Sequence, residues 1–218
     1  MGTTLLNTAI KDTYQGVIKT SNNTVVSGTA KYLSDGLGND SAISISTTAV
    51  GVGTVTPTKT LDVVGEIRTS QGILFGTDTA AGNRLDDYEE NAFTPAIIGT
   101  TTDGSATYST VNGNYTKIGR VVHFEIFIGW SAGTGTGDLR IAGLPFAIYN
   151  PASTYTFPAF TIADANVSLS ANTILAAEGQ PGTTEIALVE IPVGGGARAS
   201  VAYDAAGSIV ISGTYFTA

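Results

Sequence analysis

Glycine and proline interrupt this chain before any helical period can establish itself. In the stretch GVGTVTPTKTLDVVGEI, apolar residues recur at Val52, Val55, Leu61, Val63 and Ile67, yet Gly51, Gly53, Pro57 and Gly65 fall among them. Glycine weakens a helix interior and proline removes a backbone donor, so neither a helix nor a long central strand can run through such a segment. The punctuation continues downstream, and no segment keeps a helical apolar period over about ten residues. Short strands joined by turns are what remains. Composition agrees, with 27 glycines among 218 residues, abundant threonine and a charged fraction of only 13%. The expected class is all-β.

Three regions are expected. Residues 1–48 alternate polar turns with weak β segments; YLSDGLGNDSAISIS carries SDG and GND turn signals before Ile43 and Ile45 at period two. Residues 49–84 contain the short apolar pieces AVGVGTV, KTLDVVGEIRTS and GILFG. A lone chain built this way buries too little apolar surface to offset the entropy of ordering it. The segment is therefore expected to pack on other copies of itself, with Val52, Leu61, Val63 and Ile67 facing a shared axis and its glycines allowing close approach. The alternative is a β hairpin loosely attached to a single globular domain.

A charged patch from Asn83 to Glu90 opens the third region, 85–218, and LDDYEE reads as a turn or one short helix. Beyond it a compact antiparallel domain is expected. YSTVNGNY predicts a VNG turn between Tyr108 and Tyr115. VVHFEIFIGW alternates, with Val122, Phe124, Ile126 and Ile128 on a core face and Val121, His123, Glu125 and Phe127 on the other. Leu139 and Ile141 join that core from LRIAGLPF. Further strands are predicted at TYTFPAFTI, ANVSLS, TILAAEG, TEIALVEIP, ARASVAYD and SIVISGTYFT. So many short strands favour a β-sandwich or jelly roll over a βαβ sheet.

The run LDDYEENAFTPAIIG, then GNYTKIGRVVHFEIFIGW, then GDLRIAGLPF resembles the C-terminal domains of bacteriophage tail fibre and related virion fibre proteins. VGVGTVTPTKTLDVVGEIRTSQGI resembles another recurrent phage-fibre element. Asn91-Ala92 stands where that family usually has Gly-Thr. The resemblance implies a virion component synthesised in the host cytoplasm and assembled as a homotrimer. It implies attachment to other virion proteins through residues 1–48, a short shaft or intertwined stem over 49–84, and a head that contacts a host surface glycan or protein. A head-decorating capsid fibre or a fibre joint is the structural alternative, and a glycan-degrading fibre a weaker one.

Charge and side-chain chemistry narrow the function classes. The net charge is −8, and past Arg120 the only basic residues are Arg140 and Arg198, which disfavours nucleic acid. There is no cysteine. No basic-apolar leader opens the chain, and no stretch approaches the ~20 apolar residues of a membrane helix, so membrane insertion is not expected. Paired carboxylates for glycan cleavage are poorly placed: Asp86, Asp87, Glu89 and Glu90 crowd one turn, and Glu185 and Glu190 fall on opposite faces of one strand. Asp138 and Arg140 read as a loop-edge ion pair. His123 is the single histidine; with Glu125 it could hold a metal only if copies met at an axis, and a strand-face hydrogen-bonder is the plainer reading. No phosphate loop or nucleophile elbow occurs. No catalytic residue, metal or cofactor is therefore expected. Binding is easier to support, because Trp130, Tyr149, Tyr155, Phe157 and Phe160 stand among Ser, Thr and Asn, and Arg198 follows a Gly-rich turn. Aromatic faces with neighbouring hydroxyls suit sugar rings.

Overall fold

The computed structural model describes residues 18–77, 79–80, 83–151 and 157–218, except for the side chains of 164 and 165. The chain divides into two units, Met1–Ser70 and Gln71–Ala218. Every regular element among the described residues is a strand, as the Gly and Pro punctuation requires.

The first unit is a five-stranded sheet in chain order: β1 (Lys19–Thr20), β2 (Lys31–Ser34), β3 (Asp40–Ile45), β4 (Val50–Val52) and β5 (Leu61–Val63). The pairings are antiparallel until β4 and β5, which run parallel. Their connection is short for a parallel pair. It is held by Val50 N–H donating to the Thr60 carbonyl (2.8 Å) and by Asp62, which accepts from the backbone and hydroxyl of Thr58 (2.8 and 2.9 Å). These hydrogen bonds keep the Asp62 carboxyl below the usual carboxylate range. Among the described residues, the buried side chains of this unit are Thr20, Ala30, Ser34 and Ser44. Hydroxyls and a methyl group do not make an apolar core.

The second unit is a ten-stranded sheet curled around one core. Its strands are β6 (Tyr88–Phe93), β7 (Ala96–Gly99), β8 (Thr107–Ile118), β9 (Val121–Ser131), β10 (Leu139–Ala142), β11 (Ala159–Asn166), β12 (Thr173–Gly179), β13 (Glu185–Pro192), β14 (Ala199–Ser200) and β15 (Gly207–Phe216). The order is β6-β8-β9-β15-β11-β12-β13-β10-β7, with β14 on β13, and every pairing is antiparallel. β11 belongs to both leaves of this sandwich: Ala159 and Phe160 pair with β12, whereas Thr161–Asn166 pair with β15 across a register shift. A strand that bends through an irregularity to change leaf is how sandwich corners are made.

Between the leaves lie Val122, Phe124, Ile126 and Ile128 of β9, Ile209, Ile211 and Tyr215 of β15, Leu139 and Ile141 of β10, and Ile186 and Leu188 of β13, none more than 2% exposed. Val121, His123, Glu125 and Phe127 are exposed on the opposite face of β9.

Two local expectations are corrected. The VNG sequence makes no turn, because β8 runs unbroken through it. Gly113 is there for proximity: a Cβ would lie 2.8 Å from the Phe93 carbonyl oxygen and 2.9 Å from its ring. LDDYEE is neither turn nor helix, since its last three residues begin β6. The pairing of β6 with β8 explains the change. Lys117, buried on the inner face of β8, forms an ion pair with Asp87, and its Nζ lies 3.8 Å from Glu89 and 5.1 Å from the Phe146 ring centroid. ANVSLS is likewise no separate strand, because Asn166 closes β11.

Candidate functional site

The aromatic residues expected to contact a ligand separate into two groups. Trp130 is buried, since the even-numbered period of β9 carries it inward. Its ring packs over Gly207, where a Cβ would meet Cζ2 at 2.7 Å, and its Nε1–H donates to the Asp204 carbonyl at 2.9 Å. Phe160 is buried too, edge-on to Phe124 with ring centroids 4.8 Å apart. Both are core residues, so the expectation that they touch ligand is corrected. Tyr155 lies outside the described residues.

Tyr149 and Phe157 do come together. With Ile148, Pro158, Thr214, Tyr215 and Phe216 they line a groove of ≈ 480 Å³. Backbone hydrogen bonds hold its walls: Tyr149 N–H donates to the Phe216 carbonyl (2.7 Å), Ile148 N–H to Thr183 (2.8 Å), and Gly179 N–H to Pro158 (2.8 Å). Tyr149 and Phe216 are 42% and 58% exposed, so their rings face solvent. Phe216 is missing from the expected set, although alternation in SIVISGTYFT puts it on the face opposite Tyr215. The Tyr215 hydroxyl donates to the Phe146 carbonyl (3.0 Å), and burial pushes its pKa up to about 12.

Two guanidinium groups flank the groove. The Arg120 Cζ stands 4.5 Å from the Tyr149 ring centroid, and its Nε–H donates to the Thr217 carbonyl at 2.9 Å. Arg198 lies over Phe157 at 5.6 Å and forms an ion pair with Glu178. In a chain of net charge −8, this groups aromatic faces with cations at one place.

Asp87, Glu89, Glu185 and Glu190 serve structure. Asp87 and Glu89 belong to Lys117, and Glu89 also accepts from the Tyr115 hydroxyl at 3.2 Å. Arg140 pairs with Glu185 at 2.6 Å across β10 and β13, which corrects the expected Asp138–Arg140 pair. Glu190 accepts from Ser170 N–H at 3.0 Å, and its pKa is lowered by that contact. His123 Nδ1 lies 3.2 Å from the Thr214 hydroxyl. Among the described residues, no three His, Asp or Glu side chains converge to hold a metal ion. No helix among them is long and apolar enough to cross a membrane.

In the first unit, Val52 and Val63 stand opposite each other and are half-buried, while Leu61 and Ile67 are 61% and 63% exposed. By register, Ile43, Val50, Val52, Leu61 and Val63 share one face of β3-β4-β5, whereas Ser44 and Gly51 share the other.

No family model matches the chain, and no curated protein matches its sequence. Among solved structures, the crystal structure of the Dettilon tailspike protein is similar, with 21% identity and a TM-score of 0.43 over 59% of this chain. The match covers 24% of the tailspike chain, so this sequence spans about a quarter of that protein's length.

Proposed function

We propose that this protein is a non-enzymatic structural component of a phage virion, a homotrimeric fibre whose sandwich head presents the Tyr149–Phe157–Phe216 groove to a host surface glycan or protein. The observation that carries this reading is the groove itself. Solvent-facing rings beside hydroxyls and guanidinium groups are what a saccharide site needs, and no carboxylate is among the described residues lining this groove. The ordered motifs from LDDYEE to LRIAGLP support a virion home.

Trimer assembly is supported by the first unit. Its β3-β4-β5 face exposes Ile43, Val50 and Leu61, and its own interior is small and polar. Other copies of the chain would cover that face. Sedimentation equilibrium should give three times the 22.2 kDa chain mass; a concentration-independent single-chain mass rejects the trimer. Leu61→Asp should drive the equilibrium toward single chains, because association would desolvate a carboxylate without a partner.

The purified head should bind host cells and compete with virions, and replacing both Tyr149 and Phe216 with Ala should abolish competition. Wild-type protein that neither binds nor competes rejects host recognition. Antibody labelling on the capsid shell instead of the tail would assign the chain to a head fibre.

A further inference from the structure

The outer face of β8, β9 and β15 carries a second constellation, beginning one row along β15 from the groove's Thr214. Asn112, Phe127 and Val210 stand opposite one another in one cross-strand row, and Asn114, Glu125 and Ser212 in a neighbouring row of the same face. Together they line a shallow depression of ≈ 370 Å³. Phe127 is 42% exposed at its centre. Among the described residues, the side chains of Asn112, Asn114, Glu125 and Ser212 make no hydrogen bond or ion pair, so two amides, a carboxylate and a hydroxyl are uncommitted around one ring.

We infer that this face is a second saccharide subsite, specific for a neutral sugar unit. The inference rests on the carbohydrate reading of the groove. The apolar face of a pyranose would pack on Phe127. Its hydroxyls would donate to Glu125, which accepts only, and would exchange hydrogen bonds with the Asn112 and Asn114 amides, which both donate and accept. Charge selects the class: the two rows hold one carboxylate and no cation, in a chain of net charge −8, so an anionic sugar is repelled where a neutral polyol is not. Geometry connects this face to the groove. Val210, Ser212, Thr214 and Phe216 lie along one side of β15, and six residues at ~3.3 Å per residue separate the two aromatic stations by about 20 Å. A polymeric glycan laid along β15 would engage both stations, gaining avidity that one ring alone cannot supply.

The test is affinity electrophoresis of the full chain in native gels containing dextran, galactomannan or glucomannan, with dextran sulfate as the anionic counterpart. At least one neutral polymer should retard the protein. Phe127→Ala should weaken that retardation by about tenfold, as loss of a central aromatic anchor does. Glu125→Gln, which leaves packing untouched, should weaken it several-fold and so covers the case in which Phe127→Ala fails to fold. No retardation by any neutral polymer overturns the inference. Full retardation of Phe127→Ala, with loss on Phe216→Ala, overturns this subsite while leaving the groove intact. A fall in assembly mass on Phe127→Ala or Glu125→Gln also overturns it, assigning the face to contact between copies.

Discussion

The ring of Phe160 occupies the space beside Gly213, where an added Cβ would lie 2.3 Å from Cδ1. That contact joins β11 to β15 and explains why a glycine interrupts an otherwise well-formed strand. Gly213→Ala should destabilise the domain by ~1–3 kcal/mol through overpacking. Urea denaturation measures this, and Phe160→Leu in the same chain should restore part of the loss. An unchanged midpoint would mean the ring moves aside freely.

Phe124 contacts both Phe160 and Tyr215, with centroids 4.8 and 5.9 Å away, and is fully buried. Phe124→Ala should cost ~3–5 kcal/mol. A loss below about 1 kcal/mol would show that the site collapses without leaving a cavity.

Stability should fall in alkali. The folded Tyr215 has its pKa raised to about 12 by burial, against 10.0 for the free side chain. Below pH 10 both folded and unfolded states hold the proton, so the contribution is fully present there. As pH rises toward 12 the unfolded state ionises first and stability drops, by roughly 2–3 kcal/mol for this group. Tyr88 and Tyr115 are shifted upward as well, Tyr88 by its hydrogen bond to Glu90 and Tyr115 by burial. Tyr215→Phe should flatten the profile without abolishing it, measured as denaturation midpoint against pH.

The Tyr203 hydroxyl is buried with no hydrogen-bond partner among the described residues. Tyr203→Phe should therefore be neutral or stabilising by up to about 1 kcal/mol. Tyr215→Phe at neutral pH should instead lose ~1 kcal/mol, since it leaves the Phe146 carbonyl without its donor. Thermal melts of the two variants should move in different directions or differ clearly in size.

What was legible in the sequence was periodic. The alternation from Val122 to Ile128 marks the inner face of β9, and the same period carries Trp130 inward, against the ligand contact that its Ser and Thr neighbours suggest. What was not legible depended on partners far along the chain. VNG looks like a turn until Phe93 is placed across from Gly113. Asp87 looks like part of a solvated turn until Lys117 is placed against it. The groove was partly visible as an aromatic cluster, but Phe216 joins Tyr149 only because β15 returns to the segment carrying Tyr149. No local rule places those two rings together.

The central position of β15 has a consequence during synthesis. Its neighbours β9 and β11 both precede it in the sequence, and β9 ends at Ser131. At roughly 5–20 residues per second, the inner edge of β9 waits about 4–17 s after Ser131 is made before Phe216 is added. Until then β9 and β11 each offer an unpaired edge to any neighbouring nascent chain, including another copy growing on the same message. The interval before β15 arrives is when this head is most exposed to aggregation, and a chaperone that shields strand edges would act there.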